Sequence, residues 1–199
     1  MNANLANIPI LTFLILIPLV SGGVVMLLSS ENKDGIRSTA FGFSVITFIA
    51  SLALLLDFDV TTHNMQFVEK AAWIPGIGAD YHLGIDGISL LLVLLTTFIT
   101  VISIVCSWSA IEERVKEFMV FIMILEAGVI GVFVSLDLVL FFLFWEIGLV
   151  PMYFLIGIWG GKGKLYANIK LFLYTLFGSV FMLAGIIAGR LPASRMTTS

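Results

Sequence analysis

Charge is scarce in this chain: only 12% of its residues are Asp, Glu, Lys or Arg, against about 25% in ordinary soluble domains. A chain so poor in charge cannot cover a water-facing surface, which excludes a soluble globular protein. Positive charge is no richer, with a net charge of −3 and no basic stripe interleaved with aromatics, so nucleic acid is excluded as a partner. The single cysteine, Cys106, lies in an apolar run. Alone it forms no intrachain disulfide and no thiolate cluster for zinc or iron–sulfur, and it is expected to be a small buried hydrophobe. The two histidines, His63 and His82, fall in one polar stretch, whereas bis-histidine haem ligation would need them inside helices. No glycine-rich phosphate loop and no internal repeat is present. The leading "MNANLAN" has no Lys or Arg, and the apolar run after it exceeds the typical signal-peptide core of about 7 to 15 residues, so it is expected to be a retained span.

What is there in abundance is hydrocarbon, at 60% of residues. A bilayer core about 30 Å thick needs about 20 helical residues to cross it. Six stretches satisfy this: Ile8 to Leu28, Thr39 to Leu56, Gly87 to Trp108, Phe118 to Leu136, Leu138 to Gly160 and Leu165 to Gly189. The expected architecture is an all-α integral membrane fold. Spans one and two occupy 1–56, a longer outer loop 57–86, span three 87–108, and spans four to six 118–189. The polar tail 190–199, "RLPASRMTTS", breaks the pattern and is expected to mark a truncation or frameshift. Lys33, Arg37, Arg114, Lys116, Lys162 and Lys164 all fall in alternate loops, which places those loops in the cytoplasm and the amino terminus outside. In the outer loop, "PGIG" at Pro75 to Gly78 signals a turn between "AAW" and "YHL", a short hairpin. Asp86 in "GIDGIS" stands where an N-cap would open span three.

Three ionisable residues interrupt the last three spans: Glu126, Glu146 and Lys170. A charge at the bilayer centre costs about 2.5 to 3.5 kcal/mol on insertion scales, so such residues mark ion pathways by default. Glu146 lies about 13 Å from the outer end of its span and Glu126 about 12 Å from the inner end of the preceding one, similar depths on antiparallel neighbours. Whether they face each other depends on helix rotation. Pro151, five residues after Glu146, leaves the carbonyl of Ile147 without its usual donor and offers an anchor for water. Lys170 sits about one turn inside span six, where it either joins a polar chain or snorkels to the headgroups.

The strings "YHLGIDGISLLLVLLT", "GVIGVFVSLDLVLFFLFWE" and "LVPMYFLIGIWGG" resemble the antiporter-like subunits M (chain 4) of proton-pumping NADH:quinone oxidoreductase, respiratory complex I. The likeness is clearest from about Tyr81 to Gly185. It implies the amino-terminal part of the antiporter-like fourteen-helix fold. Glu146 is implied to be the ionisable residue of a first half-channel, in the Trp145–Glu146 pair, with Lys170 in the polar chain through the membrane. The lysine that pairs with that glutamate, on a broken seventh helix, is not in this chain. The resemblance further implies a multi-pass protein of the inner cell membrane that moves protons beside the other membrane subunits of the complex. NADH, FMN, iron–sulfur clusters and quinone would bind in partner subunits and none in this chain. The alternatives are a subunit of a multisubunit sodium/proton antiporter or membrane-bound hydrogenase, and a non-functional truncated product.

Overall fold

The computed structural model describes residues 9–196, with side chains except those of residues 77 and 190–196. Helices α1 (Ile10–Leu27) and α2 (Lys33–Asp57) lead into a hairpin of β1 (Gln66–Ile74) and β2 (Ala79–Ile85), followed by α3 (Gly87–Ala110), α4 (Val115–Val134), α5 (Leu138–Trp159) and α6 (Lys164–Met196). All six helices are long and apolar enough to cross a membrane. In hydrocarbon only an α-helix satisfies every backbone group within its own segment, which is why these runs take that form.

The helix starts are set by caps. Asn32 accepts from the amide of Gly35 at 2.9 Å, Asp86 from Ser89 at 2.7 Å, and Asp137 from Val139 at 2.8 Å and Leu140 at 3.2 Å. The Asn32 cap corrects the expected start of span two: the helix opens at Lys33 rather than Thr39, so Lys33 and Arg37 ride on its first turns. Their cations are not idle there. Lys33 donates to the carbonyl of Glu112, Arg37 to Ile111 and Lys116 to Leu28, at 2.7 to 2.8 Å. The last four carbonyls of a helix have no partner within it and carry the negative end of its dipole, so cations are stabilising there. Lys33, Arg37 and Lys116 thus bind carbonyls of the residues that directly follow α1 and α3.

α4 is the central helix, touching α1, α2, α3 and α5, while α6 packs mainly on α5. Two apolar cores result. Leu11, Leu14, Leu54, Leu83, Val93 and Ile130 fill the one at the hairpin end. Val25, Ile36, Ile104, Met119 and Met123 fill the other. Ser44 and Thr47 of α2 are fully buried, and α2 and α3 meet along a seam that also buries Ser51 and Thr97. Ser51 Oγ and Thr97 Oγ1 share a hydrogen bond of 2.9 Å across it. Small side chains let helices approach closely, and a hydroxyl in hydrocarbon needs a partner. α3 buries one stripe only, through Leu90, Val93, Thr97, Thr100, Ile104 and Ser107. Cys106 falls outside that stripe and is exposed, which corrects its expected burial. Six spans on a membrane chain leave most apolar side chains facing lipid, and apolar character did not distinguish the inner stripe.

The hairpin pairs Ala71 with Tyr81 and Lys70 with His82, joined by a 3-10 turn at Pro75–Ile77 and by Gly78 in the left-handed region, φ 61°. A bulge lies between Gln66 and Glu69. Within it Phe67 adopts φ 51° and is buried in the hairpin-end core, as bulges re-aim side chains. The hairpin also starts α1. The N-cap residue of that helix, Pro9, makes no side-chain cap, and Glu69 supplies one from 58 residues away, accepting from the amides of Leu11 at 2.7 Å and Thr12 at 3.2 Å. Thr12 Oγ1 donates to the same carboxylate and lies 2.8 Å from the Tyr81 hydroxyl, which burial pushes up from its ordinary pKa. A carboxylate on helix N-terminal amides is a charge-assisted cap, so Glu69→Ala is expected to cost about 1 to 2 kcal/mol. Detergent unfolding of the variant, with proteolysis of the hairpin as the local readout, checks this.

Asp86 gives a second test. The Ser89 amide holds its carboxyl below the usual 3.8. A pKa lower in the folded state than in the unfolded means the stabilisation is full above the unfolded value and is lost as pH falls through the folded one. The stability difference between the native chain and Asp86→Ala is expected to shrink on acidification below about pH 4, and that between the native chain and Asp86→Asn to tilt in favour of Asn.

Candidate functional site

Glu126 lies about 16 Å along α4 from Val115. It is 2% exposed, and neither of its carboxyl oxygens has a hydrogen-bond partner among the described residues. The close contact of α4 with α5 explains how it is aimed. A Cβ on Gly128 would stand 3.1 Å from Gly148 Cα, and one on Gly131 would enter the Phe144 ring, so Gly128 and Gly131 line the seam against α5. Glu126 is two residues from Gly128, about 200° around the helix, and points away from α5. There it lines a cavity of about 450 Å³ between α3 and α4, whose other polar side chains are Thr96, Thr100 and Ser103 of α3.

Glu146 is placed differently. It is two residues from both Phe144 and Gly148, the α5 residues that meet α4, and so faces away from α4. It is half-buried, with Oε1 enclosed and unpartnered. The Gly128–Gly148 contact sets residue 150 of α5 level with Glu126, so the two carboxyls differ in depth by only about 6 Å along the axes. Depth therefore agrees with the sequence expectation, but the two face opposite sides of the α4–α5 seam, and among the described residues Glu146 does not line the cavity that Glu126 lines. Lys170 is brought near neither. Asn168 Nδ2 donates to the Tyr153 carbonyl at 2.8 Å and so turns toward α5, whereas Lys170, about 200° away, is exposed with its Nζ 5.9 Å from the Tyr166 ring centre. The Asn168–Tyr153 contact leaves it about 8 Å from Glu146 in depth. Trp145 is exposed beside Phe141, their ring centres 6.1 Å apart. Pro151 is buried within α5, which continues through it.

The α3 hydroxyls escaped the sequence reading. Their signal is present, since Thr96, Thr100 and Ser103 recur at helical spacing, but it is shared with many threonines that only bond their own helix. Among the described residues no three His, Cys, Asp or Glu side chains gather to hold a metal ion.

Similarity to known proteins bears on which bundle this is. Residues 135–189 match the family model described as NADH:quinone oxidoreductase/Mrp antiporter, TM. NADH-quinone oxidoreductase subunit M of Rhodobacter capsulatus is 49% identical over 186 residues, covering 90% of this chain and 35% of the relative. Subunit M of Rickettsia conorii is 43% identical, covering 91% and 38%. The chain belongs to the subunit M family of NADH:quinone oxidoreductase. Its fold is likewise that of an antiporter-like membrane domain: a chain of respiratory complex I from Thermus thermophilus with bound NADH superposes with a TM-score of 0.77 at 26% identity, over 92% of this chain and 36% of that one. The chain thus spans little more than a third of the length of the subunit M relatives it matches.

Proposed function

We propose that this chain is the amino-terminal part of a subunit M that moves protons through the membrane arm of NADH:quinone oxidoreductase. The observation that carries the reading is Glu126: a carboxyl held at the centre of the bundle with no protein partner has a cost and no structural return, and exchanging a proton supplies one. Glu146 and Lys170 are the other members of the path. They lie on faces that this chain leaves open, where the remainder of a full-length subunit M would pack. Electron transfer from NADH to quinone takes place in partner subunits, which hold FMN, the iron–sulfur clusters and the quinone, and this chain contributes no redox centre. The field change that transfer produces drives the carboxyls between charged and neutral forms, each pKa unit being worth about 1.4 kcal/mol. The six loop cations at the end opposite the hairpin support a reading in which that end faces the cytoplasm and the hairpin lies outside the inner cell membrane.

The family model covers Mrp antiporters as well as NADH:quinone oxidoreductase, so cation/proton exchange without electron donors is the second reading. Affinity purification of the native assembly decides between them. We expect quinone reduction by NADH to co-purify, with proton uptake that stops when NADH is withheld. Sodium-dependent proton movement with no electron donor would replace this reading with the second.

A further inference from the structure

We propose that the cavity between α3 and α4 is a water-filled proton access route that ends on Glu126, separate from the face that carries Glu146. Four observations meet there. The cavity holds about 450 Å³, room for several waters at about 30 Å³ each in the liquid. Its polar side chains all belong to one column. Thr96, Thr100 and Ser103 lie on one face of α3, spread over about 10 Å along its axis, and Glu126 faces them from α4. Thr100 lies about 15 Å from Ala110 and Glu126 about 16 Å from Val115, at the same end of the bundle, so the carboxyl is level with the middle of the column. Ser103 is one turn nearer the end that carries the loop cations. Finally, both Glu126 oxygens are without a protein partner.

Buried apolar cavities stay dry, whereas a water with two to four polar partners is retained. The hydroxyls suit this role. Thr96 and Thr100 spend their protons on the carbonyls of Leu92 and Thr96, at 2.7 and 3.0 Å, which leaves their oxygens free to accept from water. Water in the cavity donates to these oxygens; the Glu126 oxygens are enclosed as the side chain stands, so the route includes a rotation of the carboxyl into the cavity, where water donates to it. A proton passed along it leaves a hydronium, forms the O–H bond of the Glu126 carboxyl, and returns by the same bonds on release. Among the described residues no other titratable side chain lines the cavity. α1 contains no ionisable residue, those of α2 lie in its first two turns and at its last residue, and Glu146 of α5 is on the far side of the α4–α5 seam. Leu95 and Ile99 form the exposed rim.

The proposal deepens the proton-moving reading and rests on it for the use made of the proton, but its test needs neither NADH nor a partner. The full chain is reconstituted in lipid vesicles with exposed Cys106 replaced, as Cys106→Ser, and single cysteines are introduced as Thr100→Cys, Ser103→Cys and, on the exposed face of α3, Ile102→Cys and Val105→Cys. Charged thiol reagents are attacked by thiolates, which form in water and not in hydrocarbon. We expect the two cavity positions to react at least tenfold faster than the two outer ones. Equal, slow reaction at all four would mean the cavity is filled by hydrocarbon and would overturn the proposal. Infrared spectra of the unmodified chain give an independent readout. The carbonyl stretch that Glu126→Gln removes is expected to move on transfer to heavy water and to lose intensity as pH rises. A band that stays fixed in both would show a carboxyl sealed from solvent and would equally end the proposal. A positive labelling result beside a failed NADH assay would retain the water route and discard the enzyme assignment.

Discussion

Glu126→Leu is expected to make the bundle more stable and the assembled enzyme less able to pump. Removing a buried carboxyl whose oxygens have no protein partner relieves a cost of about 1 to 3 kcal/mol, less what cavity water returns, and leucine is close enough in size to fill the space. The gain is read from the denaturing-detergent midpoint of the purified chain. In the assembled oxidoreductase the same substitution removes the group proposed to exchange the proton, and NADH-driven proton uptake is expected to fall at least tenfold. Glu126→Gln separates the two effects: it should depress pumping comparably and return little of the stability, because an unpartnered amide is still buried. Glu146→Gln is expected to reduce pumping without a matching stability gain, since only one of its oxygens is enclosed. A Glu126→Leu chain that unfolds more readily than the native one would mark the residue as structural and remove it from the path.

The second large effect concerns the α4–α5 seam. Gly128 faces Gly148 backbone at 3.1 Å from where a Cβ would stand, and Gly131 lies under the Phe144 ring. Backbone cannot rotate away as a side chain can, so Gly128→Val is expected to push the helices apart and cost at least about 1 to 3 kcal/mol, the usual range for overpacking. Gly131→Val displaces a ring that is itself packed in the hairpin-end core, and a similar loss is expected. Being one turn apart on the same contact, the two should be non-additive. Gly148→Ala is the discriminating control. Its Cβ would meet only Leu125 Cδ1, at 3.9 Å, so it should be tolerated and even gain from alanine's helix preference, worth up to about 1 kcal/mol. Equal losses at Gly128 and Gly148 would mean that the seam is not packed as described.

These glycines show how legibility varied along the chain. Gly185 and Gly189 stand at the G-x-x-x-G spacing associated with close helix contact, yet among the described residues neither has a neighbour within 4 Å of where a Cβ would lie. The pair that does approach, Gly128 and Gly148, sits on two different helices and leaves no spacing to read. Glu69 was equally hidden, because its partners at Leu11 and Thr12 are more than fifty residues away. Asp86 and the Pro75 to Gly78 turn were readable because cap and turn chemistry acts over three or four residues. The depth of Glu126 and Glu146 was readable too, since rise per residue converts position directly to height.

Length, apolar runs and the placement of Lys and Arg were enough to determine that this chain makes six membrane helices, that a hairpin interrupts them, and which end carries the cations. Each follows from a local rule: a fixed rise per residue, a fixed hydrocarbon thickness, and a penalty on charge inside it. Which way each polar group faces was decided only by tertiary structure. Rotation about a helix axis is free until a neighbour packs against it, and here the glycine contacts of α4 with α5 turn Glu126 toward the hydroxyls of α3 and Glu146 to the opposite side.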